Sequence, residues 1–500
     1  MTALAPADLG RVHLVGVGGA GVSVVARLLA ARGVEVQGSD AVASAALRAL
    51  QDDGVRVWVG HDAAHVVADD GTPVVDTVVV SSAVRESNPE LAAARAAGVR
   101  VLHRSEALAA LMLGRRAVAV AGAHGKTTTS AMVACVLGAA GTDPSYAIGG
   151  TVRVRDGAGE RSLPGGHAGT SDVLVAEADE SDGSFLNYAP TVAVVTNVEA
   201  DHLDHYGSQE AFEQAFVDFA GQIRPGGWLV ACADDPGSAR LAARHRAAGG
   251  QAVTYGVAAG ADVVVSGVEV GAGTVRGVVA GAPLGAGEHA LRLDVPGAHN
   301  LLNATAAVVT AVLLGVPADV AVAGAGTFVG TGRRFEPRGE AAGVRVFDSY
   351  DHHPTEVEAL LHAARPVAGP GRVLVLFQPH LYSRTRAFAD RFAAALALAD
   401  EAVVTGVYRA REDPDPTVTA ATITDLAGPT VSGGAVRAVE DRLEAAHAVA
   451  AAARPGDVVI TVGAGDVTEL APVVLADLTR RAGGTGVASA DEGRGDATMG

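Results

Sequence analysis

The stretch VAVAGAHGKTTT, at Val118–Thr129, decides how the middle of this chain folds. An apolar run typical of a buried strand leads into a glycine loop, and the loop ends in Lys-Thr at the start of a predicted helix. Backbone N–H groups in such a loop and the positive end of the helix both favour phosphate. We therefore predict that this loop binds ATP.

The loop is a variant of the usual phosphate loop, because Val120 stands where a second glycine is common. In this interpretation Lys126 reaches the outer phosphates and the Thr127 hydroxyl binds Mg²⁺. The alternative is a tight strand-to-helix turn with a chance lysine. That alternative does not explain three consecutive threonines after Gly-Lys, at Thr127–Thr129.

Composition indicates an α/β protein of several domains. The chain has 500 residues, 49% of them hydrophobic but only 4% aromatic, which suits parallel strands of Val, Ala and Leu covered by helices. A net charge of −18 argues against nucleic acid or a membrane surface as the main partner. Two cysteines, Cys135 and Cys232, fit a reducing cytoplasm. We expect no signal peptide, and we expect Leu301–Val316 to be a buried helix rather than a membrane span.

Strand and helix patterns alternate along three segments. We predict an N-terminal Rossmann-like domain at 1–113, a central P-loop ATPase-like domain at 114–331 and a C-terminal Rossmann-like domain at 332–482. Residues 256–296 read as short antiparallel strands, and the polar, glycine-rich residues 483–500 as a disordered tail.

A second glycine loop, Gly16–Gly21, fits Gly-x-Gly-x-x-Gly between a strand and a helix, and Asp40 ends the next strand. The pattern is the dinucleotide fingerprint, with a diphosphate at the helix start and the acid near a ribose. It demands only a diphosphate, so NAD and a nucleotide sugar such as a UDP-sugar both satisfy it. A purely structural turn is the third possibility.

Two further strands end in polar clusters. Glu177–Asp182 is acidic, and Glu177 is best placed to hold Mg²⁺, since hard oxygen ligands suit that ion. The alternative is a solvated acidic loop. His202, in the second cluster, could bind another metal ion or serve as an ordinary surface residue.

Five later segments place polar residues mostly after strands, where open α/β sheets bind ligands. They are 297–300, 333–336, 348–356, 378–386 and 463–466. Arginines there suit carboxylate or phosphate, although any one segment could be a charged surface loop.

Taken in order, these motifs resemble the Mur ligase family of peptidoglycan synthesis over roughly residues 10 to 480. The resemblance implies three domains and ATP-dependent amide bond formation. It points to the alanine-adding branch, in which the lactyl carboxylate of UDP-N-acetylmuramate becomes an acyl phosphate and then an amide of L-alanine. A UDP-sugar then replaces NAD at the first loop.

The resemblance also implies roles for particular residues. Catalytic roles fall to Lys126, Glu177, His202 and His353, and metal ligation to Thr127, Glu177 and His202. The UDP-sugar site would comprise Gly18, Gly19, Ala20, Gly21, Asp40, Ser81 and Ser82. The ATP site would comprise Gly122, Ala123, His124, Gly125, Lys126, Thr127, Thr128, His299, Asn300, Arg334 and Asp348. The amino-acid site would comprise His352, Arg384 and Arg386.

Two positions depart from related patterns. Asp351 stands where the family usually has Ala or Gly, and its charge either alters amino-acid handling or points to solvent. Sister ligases often carry a carbamylated lysine in the helix that here spans Glu210–Phe216, which has no lysine and places Phe216 near the expected position; this absence fits the alanine-adding branch.

Three alternatives remain at this stage. A sister ligase that attaches a preformed tripeptide would share nearly every motif, whereas an NAD-dependent oxidoreductase or a nucleotide sensor would leave Lys126 and Glu177 without a role. We expect a monomer or weak homodimer with no membrane insertion.

Overall fold

The structure is a computed structural model that describes residues 4–199, 201, 203–410 and 412–484. It divides into two compact units. The first covers the described residues up to 269 and from 274 to 332, and the second covers 270–273 and the described residues from 333 onward.

The first unit begins with a five-stranded parallel sheet in the order β3-β2-β1-β4-β5. Its strands are β1 (Val12–Val15), β2 (Val36–Asp40), β3 (Arg56–Val59), β4 (Thr77–Val80) and β5 (Arg100–His103). Its helices are α1 (Ala20–Ala30), α2 (Ala45–Asp52), α3 (Pro89–Ala96) and α4 (Arg104–Met112). Parallel strands bring their carboxyl ends to one edge, so the loops after β1–β5 lie side by side there.

A ten-stranded sheet follows, in the order β10-β7-β11-β6-β12-β13-β14-β15-β16-β17. Its strands are β6 (Arg116–Ala121), β7 (Ser145–Ala147), β10 (Gly166–His167), β11 (Val173–Glu177), β12 (Val192–Val195), β13 (Trp228–Cys232), β14 (Gln251–Gly256), β15 (Val263–Val270), β16 (Val275–Gly281) and β17 (Glu288–Leu293). A separate small sheet holds β8 (Val152–Asp156), β9 (Gly159–Leu163) and β18 (Phe328–Thr331). The helices are α5 (Lys126–Ala139), α6 (Leu203–Tyr206), α7 (Gln209–Gly221), α8 (Pro236–Ala247), α9 (Ala298–Leu313) and α10 (Ala318–Ala325).

The second unit contains a six-stranded sheet in the order β19-β20-β24-β21-β22-β23, parallel except for β19. Its strands are β19 (Glu336–Ala341), β20 (Val344–Ser349), β21 (Val373–Phe377), β22 (Glu401–Val404), β23 (Val436–Ala438) and β24 (Val458–Val462). Its helices are α11 (Pro354–Ala368), α12 (Tyr382–Ala387), α13 (Ala389–Leu396), α14 (Ala421–Thr424), α15 (Arg442–Ala452) and α16 (Leu470–Gly484).

Burial follows the apolar patterns. The strands β6, β11 and β12 are almost wholly buried, which is the expected state of central parallel strands covered on both faces. The helix predicted over Leu301–Val316 is α9, and most of its residues are buried. The predicted antiparallel strands are found in the β16–β17 pair, whereas β15 pairs with β14 in parallel.

Two expectations concern the chain's periphery. The tail predicted at 483–500 begins inside α16, which runs to Gly484, and the rest lies outside the described residues. Within the described ranges, no helix is both long and apolar enough to cross a bilayer.

Candidate active site

The phosphate loop joins β6 to α5 and needs glycine at two positions. Gly125, the residue that caps α5, has φ +82°. Gly122 has φ +130°, and a Cβ there would lie 2.2 Å from Oγ1 of Thr196 at the end of β12. Any larger residue would collide with the neighbouring strand, so the loop is held in one shape by its own packing.

Lys126 lies under this loop, with Nζ 2.7 Å from the Gly122 carbonyl oxygen and 2.8 Å from Oε1 of Glu180. It is the only lysine in the chain, and the other 37 basic residues among the 38 Lys and Arg are all arginine. A compact ammonium rather than a planar guanidinium therefore stands at this position.

Glu177 and Thr127 supply oxygen ligands suited to a magnesium ion. The Thr127 hydroxyl donates to Oε1 of Glu177 at 2.8 Å, and the Gly149 N–H donates to Oε2 at 2.8 Å. The carboxylate is thus fixed at the end of β11 beside the first turn of α5. A hydroxyl and a carboxylate next to a phosphate-binding loop fit the hard-oxygen preference of this cation.

The charged groups beside the loop shift one another's pKa values. Burial on its own would lower the pKa of Lys126, but the carboxylates of Glu180 and Asp179 raise it. Burial raises the pKa of Glu180 to about 7, although the ammonium of Lys126 opposes the shift. The pKa of Asp179 is lowered: burial would raise it, and the charges of Lys126 and Arg104 outweigh that effect. Lys126 therefore carries its charge at neutral pH.

The remaining residues of the predicted ATP site surround the loop on the first unit. The backbone N–H of His124 donates to Oδ1 of Asn197 at 2.9 Å, and Nε2 of its ring lies 3.0 Å from Oε2 of Glu199. His299 and Asn300 lie in the first turn of α9, where the side chain of Asn300 donates to the Pro296 carbonyl at 2.7 Å. Ala123 and Thr128 are buried beside the loop.

The first glycine loop opens onto a cavity of about 770 Å³. It is lined by six of the residues that the sequence assigned to a sugar nucleotide, namely Gly19, Ala20, Gly21, Asp40, Ser81 and Ser82. Gly18 plays a different part, because its N–H donates to Oδ2 of Asp40 at 2.9 Å and so ties the loop to the end of β2.

Arg104, at the start of α4, also lines this cavity. Its Nη2 lies 3.0 Å from Oδ2 of Asp179, and a Cβ added to Gly21 would lie 2.6 Å from its Nη1. The guanidinium therefore lies between the first glycine loop and the acidic segment that carries Glu177 and Glu180. It places a cation at the wall of the cavity, in contact with the acidic segment.

In the second unit, Asp348 at the end of β20 is fully buried and its carboxylate is occupied. Arg333 contacts it at 3.2 Å, and the hydroxyls of Thr461 and Thr468 donate to it at 2.7 and 2.8 Å. Arg334, which the sequence assigned to ATP together with Asp348, pairs with Asp351 at 3.0 Å and with Glu356 at 3.3 Å.

Of the two alternatives for Asp351, the structure excludes the one in which it points to solvent. It is 9% exposed, and burial raises its pKa to about 6 despite the opposing charge of Arg334. Ser349 also donates a hydrogen bond to its carboxylate. The unusual aspartate is thus part of a buried charge cluster in this unit.

Only some of the residues predicted for the amino-acid site lie close to one another. The His352 ring packs edge-on against His380 at 5.6 Å, and Arg384 approaches His380 at 3.5 Å. His353 is buried at the start of α11 with its ring against Phe388. Arg386 is more than half exposed and pairs with Asp415 at 2.6 Å.

Sequence reasoning missed Glu180, Arg104, Arg333 and Asn303. Glu180 stands in the acidic run of residues 177–182, so the run gave a signal without singling it out. Asn303, in α9, has its amide 3.0 Å from where a Cβ of Gly125 would lie. His202, predicted as a metal ligand, lies outside the described residues.

Family models match nearly the whole chain. "Mur ligase family, catalytic domain" matches residues 11–116, "Mur ligase middle domain" matches 120–311 and "Mur ligase, glutamate ligase domain" matches 333–465.

Relatives of known name match over similar lengths. The chain is 58% identical to a UDP-N-acetylmuramate–L-alanine ligase of Kineococcus radiotolerans, over 95% of this chain and 98% of the relative. It is 53% identical to the ligase of that name from Paenarthrobacter aurescens, over 94% of this chain and 97% of the relative. A solved UDP-N-acetylmuramate-alanine ligase from Thermotoga maritima superposes with a TM-score of 0.72 at 28% identity, covering 95% of this chain and 99% of that one.

The matches run in the order in which the sequence motifs occur, and they include both glycine loops and the second unit. Together with the phosphate loop and the neighbouring cavity, they place this chain in the Mur ligase family.

Proposed function

We propose that this chain is an ATP-dependent ligase that joins L-alanine to the lactyl carboxylate of UDP-N-acetylmuramate in peptidoglycan precursor synthesis. The observation that carries the proposal is the pairing of two phosphate-type sites in one unit. Lys126, Thr127 and Glu177 form one, and the cavity at Gly19–Gly21 forms the other, with Arg104 and Asp179 joined between them.

The strand order of the first sheet supports one orientation of the sugar nucleotide along the carboxyl ends of the strands. Its diphosphate meets the loop after β1, and its ribose meets Asp40 at the end of β2. The sugar then extends toward the ends of β4 and β5, where Ser81, Ser82 and Arg104 lie. That end of the cavity is the one joined to the phosphate site through Arg104 and Asp179.

In the first chemical step, a lactyl carboxylate oxygen attacks the γ-phosphorus of ATP and the bond to ADP breaks. Backbone N–H groups of Gly122–Gly125 and the start of α5 hold the phosphates. Lys126 leaves Glu180 to contact the transferring phosphoryl group and offsets its charge. A magnesium ion held by Thr127, Glu177 and, as proposed from sequence, His202 would neutralise phosphate charge.

In the second step, the amine of L-alanine attacks the acyl carbonyl carbon, and phosphate leaves as the amide forms. We assign the amino acid to the second unit, with binding roles for His352, Arg384 and Arg386 and a catalytic role for His353. Arg334, Asp348, His299 and Asn300 are assigned to ATP. Acyl phosphates hydrolyse readily, so the amino-acid site has to exclude water during this step.

We further propose domain limits at 113/114 and 331/332, a cytoplasmic location and a monomeric or weakly dimeric state. We also propose that the enzyme adds L-alanine rather than a tripeptide, which the name of the 58% identical relative supports.

The deciding experiment measures phosphate release from ATP and Mg²⁺ with UDP-N-acetylmuramate, with and without L-alanine. We expect release only when both are present, and a product heavier by one alanine residue. Release with a tripeptide but not with alanine would instead assign the sister activity. Absence of release under every condition would reject a ligase.

A further inference from the structure

Among the described residues, the guanidinium of Arg104 has one hydrogen-bond partner. Its Nη2 donates to Oδ2 of Asp179 at 3.0 Å. Its Nη1 lies over the first turn of α1, 2.6 Å from where a Cβ of Gly21 would stand. A guanidinium carries several further N–H donors. Those that Asp179 does not use are available to a ligand in the cavity that Arg104 lines.

Asp179 is itself held in place by the segment that follows β11. Its Oδ1 accepts the backbone N–H of Ser181 at 3.1 Å, while its Oδ2 accepts from Arg104. Both carboxylate oxygens therefore face donors. An amide of the same size would turn its NH₂ group toward one of those donors, so the position requires a carboxylate. Asp179 is thus a fixed partner for Arg104 rather than a mobile one.

The first turn of α4, which carries Arg104, is tied to the same segment a second time. The side-chain amide of Asn187 donates to the hydroxyl of Ser105 at 2.8 Å. The backbone on each side of the Arg104–Asp179 pair is therefore held by hydrogen bonds that the pair does not make. What the pair itself determines is the direction of the guanidinium.

We propose that Asp179 is a positioning residue for the sugar-nucleotide site, which holds the guanidinium of Arg104 toward the anionic part of the ligand at the first glycine loop. A mobile arginine loses rotamer freedom when it binds a ligand, and a side chain that is already ordered avoids part of that cost. The inference rests on the proposed sugar-nucleotide function and adds a residue that acts through Arg104.

The direction of the expected effect separates positioning from charge. The carboxylate of Asp179 is negative, and so is the diphosphate of a sugar nucleotide. If Asp179 acted only through its charge, removing that charge would strengthen binding of the sugar nucleotide. If Asp179 orients Arg104, removing it weakens binding.

Titration of the full-length enzyme with UDP-N-acetylmuramate distinguishes these two directions. Saturating Mg·ADP is present throughout, so that the phosphate loop is filled in every variant. We expect Asp179→Asn to raise the dissociation constant about three- to tenfold, because the ligand must then order Arg104 itself.

Asp182→Asn is the matched control. Asp182 lies in the same acidic segment, and its Oδ1 also accepts a backbone N–H, that of Ser184 at 3.0 Å. Its other oxygen faces His103 at 3.7 Å instead of Arg104. The control loses the same charge without touching the guanidinium, so its dissociation constant should stay within about twofold of the wild-type value.

Removal of Arg104 should also remove the effect of Asp179. In the Arg104→Ala background, Asp179→Asn should change the dissociation constant by less than about twofold, since the residue through which Asp179 acts is gone. A merely structural role would lower the melting temperature in both backgrounds and would leave the two effects on affinity additive.

An unchanged or lower dissociation constant in Asp179→Asn would overturn the proposal, as would equal effects in Asp179→Asn and Asp182→Asn or additive effects with Arg104→Ala. If Asp179→Asn does not fold, Asp179→Ser replaces it, because a serine hydroxyl can accept the Ser181 N–H but is too short to hold Arg104. A wild type that binds the sugar nucleotide but shows no alanine-dependent phosphate release would reject only the proposed function. A wild type that does not bind it would reject both.

Discussion

The two glycine loops of the first unit each lie beside a basic side chain, but the two side chains come from different parts of the sequence. Each follows a parallel strand and opens a helix, β1 to α1 at Gly16–Gly21 and β6 to α5 at Gly122–Gly125. The second loop carries its own cation, because Lys126 is the residue directly after it. The first has no cation within the loop or directly after it, and Arg104, at the start of α4, lies against Gly21.

The buried glutamates beside the two loops differ in their pKa values. Glu90 and Glu180 are both fully buried. Hydrogen bonds from several donors lower the pKa of Glu90 to about 2, whereas burial raises the pKa of Glu180 to about 7. A buried carboxylate keeps its charge where several donors contact it, and is more easily protonated where burial outweighs the single lysine beside it.

The largest effect is expected from Lys126→Ala. Loss of the cation at the transferring phosphoryl group should lower the alanine-dependent rate of phosphate release by about 100- to 1,000-fold. UDP-sugar affinity, measured by titration, should remain. Lys126→Arg keeps the charge but not the shape, so it should also be impaired. A wild-type rate in Lys126→Ala would remove this residue from the mechanism.

Arg104→Ala should weaken the first site instead. Losing a charge-assisted contact to the sugar nucleotide should raise its dissociation constant by about 10- to 100-fold, with Mg·ATP affinity little changed. Arg95→Ala is the matched control, since Arg95 is an exposed arginine of the same domain paired with Glu86. Equal affinities in the Arg104 and Arg95 variants would mean that the Arg104–Asp179 pair only joins two parts of the fold.

Glu177→Gln tests the metal side of the second loop. Replacing a carboxylate oxygen with an amide should raise the Mg²⁺ concentration for half-maximal activity by at least about tenfold. Asp172→Asn, at an exposed carboxylate paired with Arg116, serves as control. An unchanged magnesium dependence would exclude Glu177 as a ligand.

The smallest effects concern pH and have opposite signs at the two glutamates. The lowered pKa of Glu90 gives stability that is present above about pH 4.5 and is lost as the pH falls toward 2. The raised pKa of Glu180 gives stability that is present below about pH 4.5 and is lost as the pH rises through 7.

Denaturant unfolding would measure both effects. The free energy of unfolding of the wild type relative to Glu90→Gln should decrease as the pH falls from 5 to 3. The free energy of unfolding of the wild type relative to Glu180→Gln should decrease as the pH rises from 5 to 8. Each change should be on the order of 1–3 kcal/mol. A parallel pH trend in the two variants would contradict the contrast between the sites.

Features carried by neighbouring residues could be predicted from the sequence. Alternating apolar runs gave the strands, and the local patterns at Gly16–Gly21 and Gly122–Thr127 located both loops. Features that depend on distant parts of the chain could not. Arg104 meets Gly21 and Asp179 only through tertiary packing, and Asn303 reaches Gly125 from α9.

Charge pairing in the second unit could not be predicted from the sequence for the same reason. The end of β20 that buries Asp348 brings it to Arg333, and Arg334 contacts Asp351. Adjacent arginines project to different neighbours, so their order along the chain did not specify their partners. The positive φ of Arg333, +56°, adds a local backbone conformation that residue type does not predict.

A single lysine in 500 residues also gives this protein only one amine side chain for chemical labelling. Apart from an α-amino group, an amine-directed acylating reagent meets one amine side chain, and that side chain is in the phosphate site. Its pairing with Glu180 and its 15% exposure should make labelling slow, and bound nucleotide should block it. The mass of one added group would then report occupancy of that site without any engineered probe.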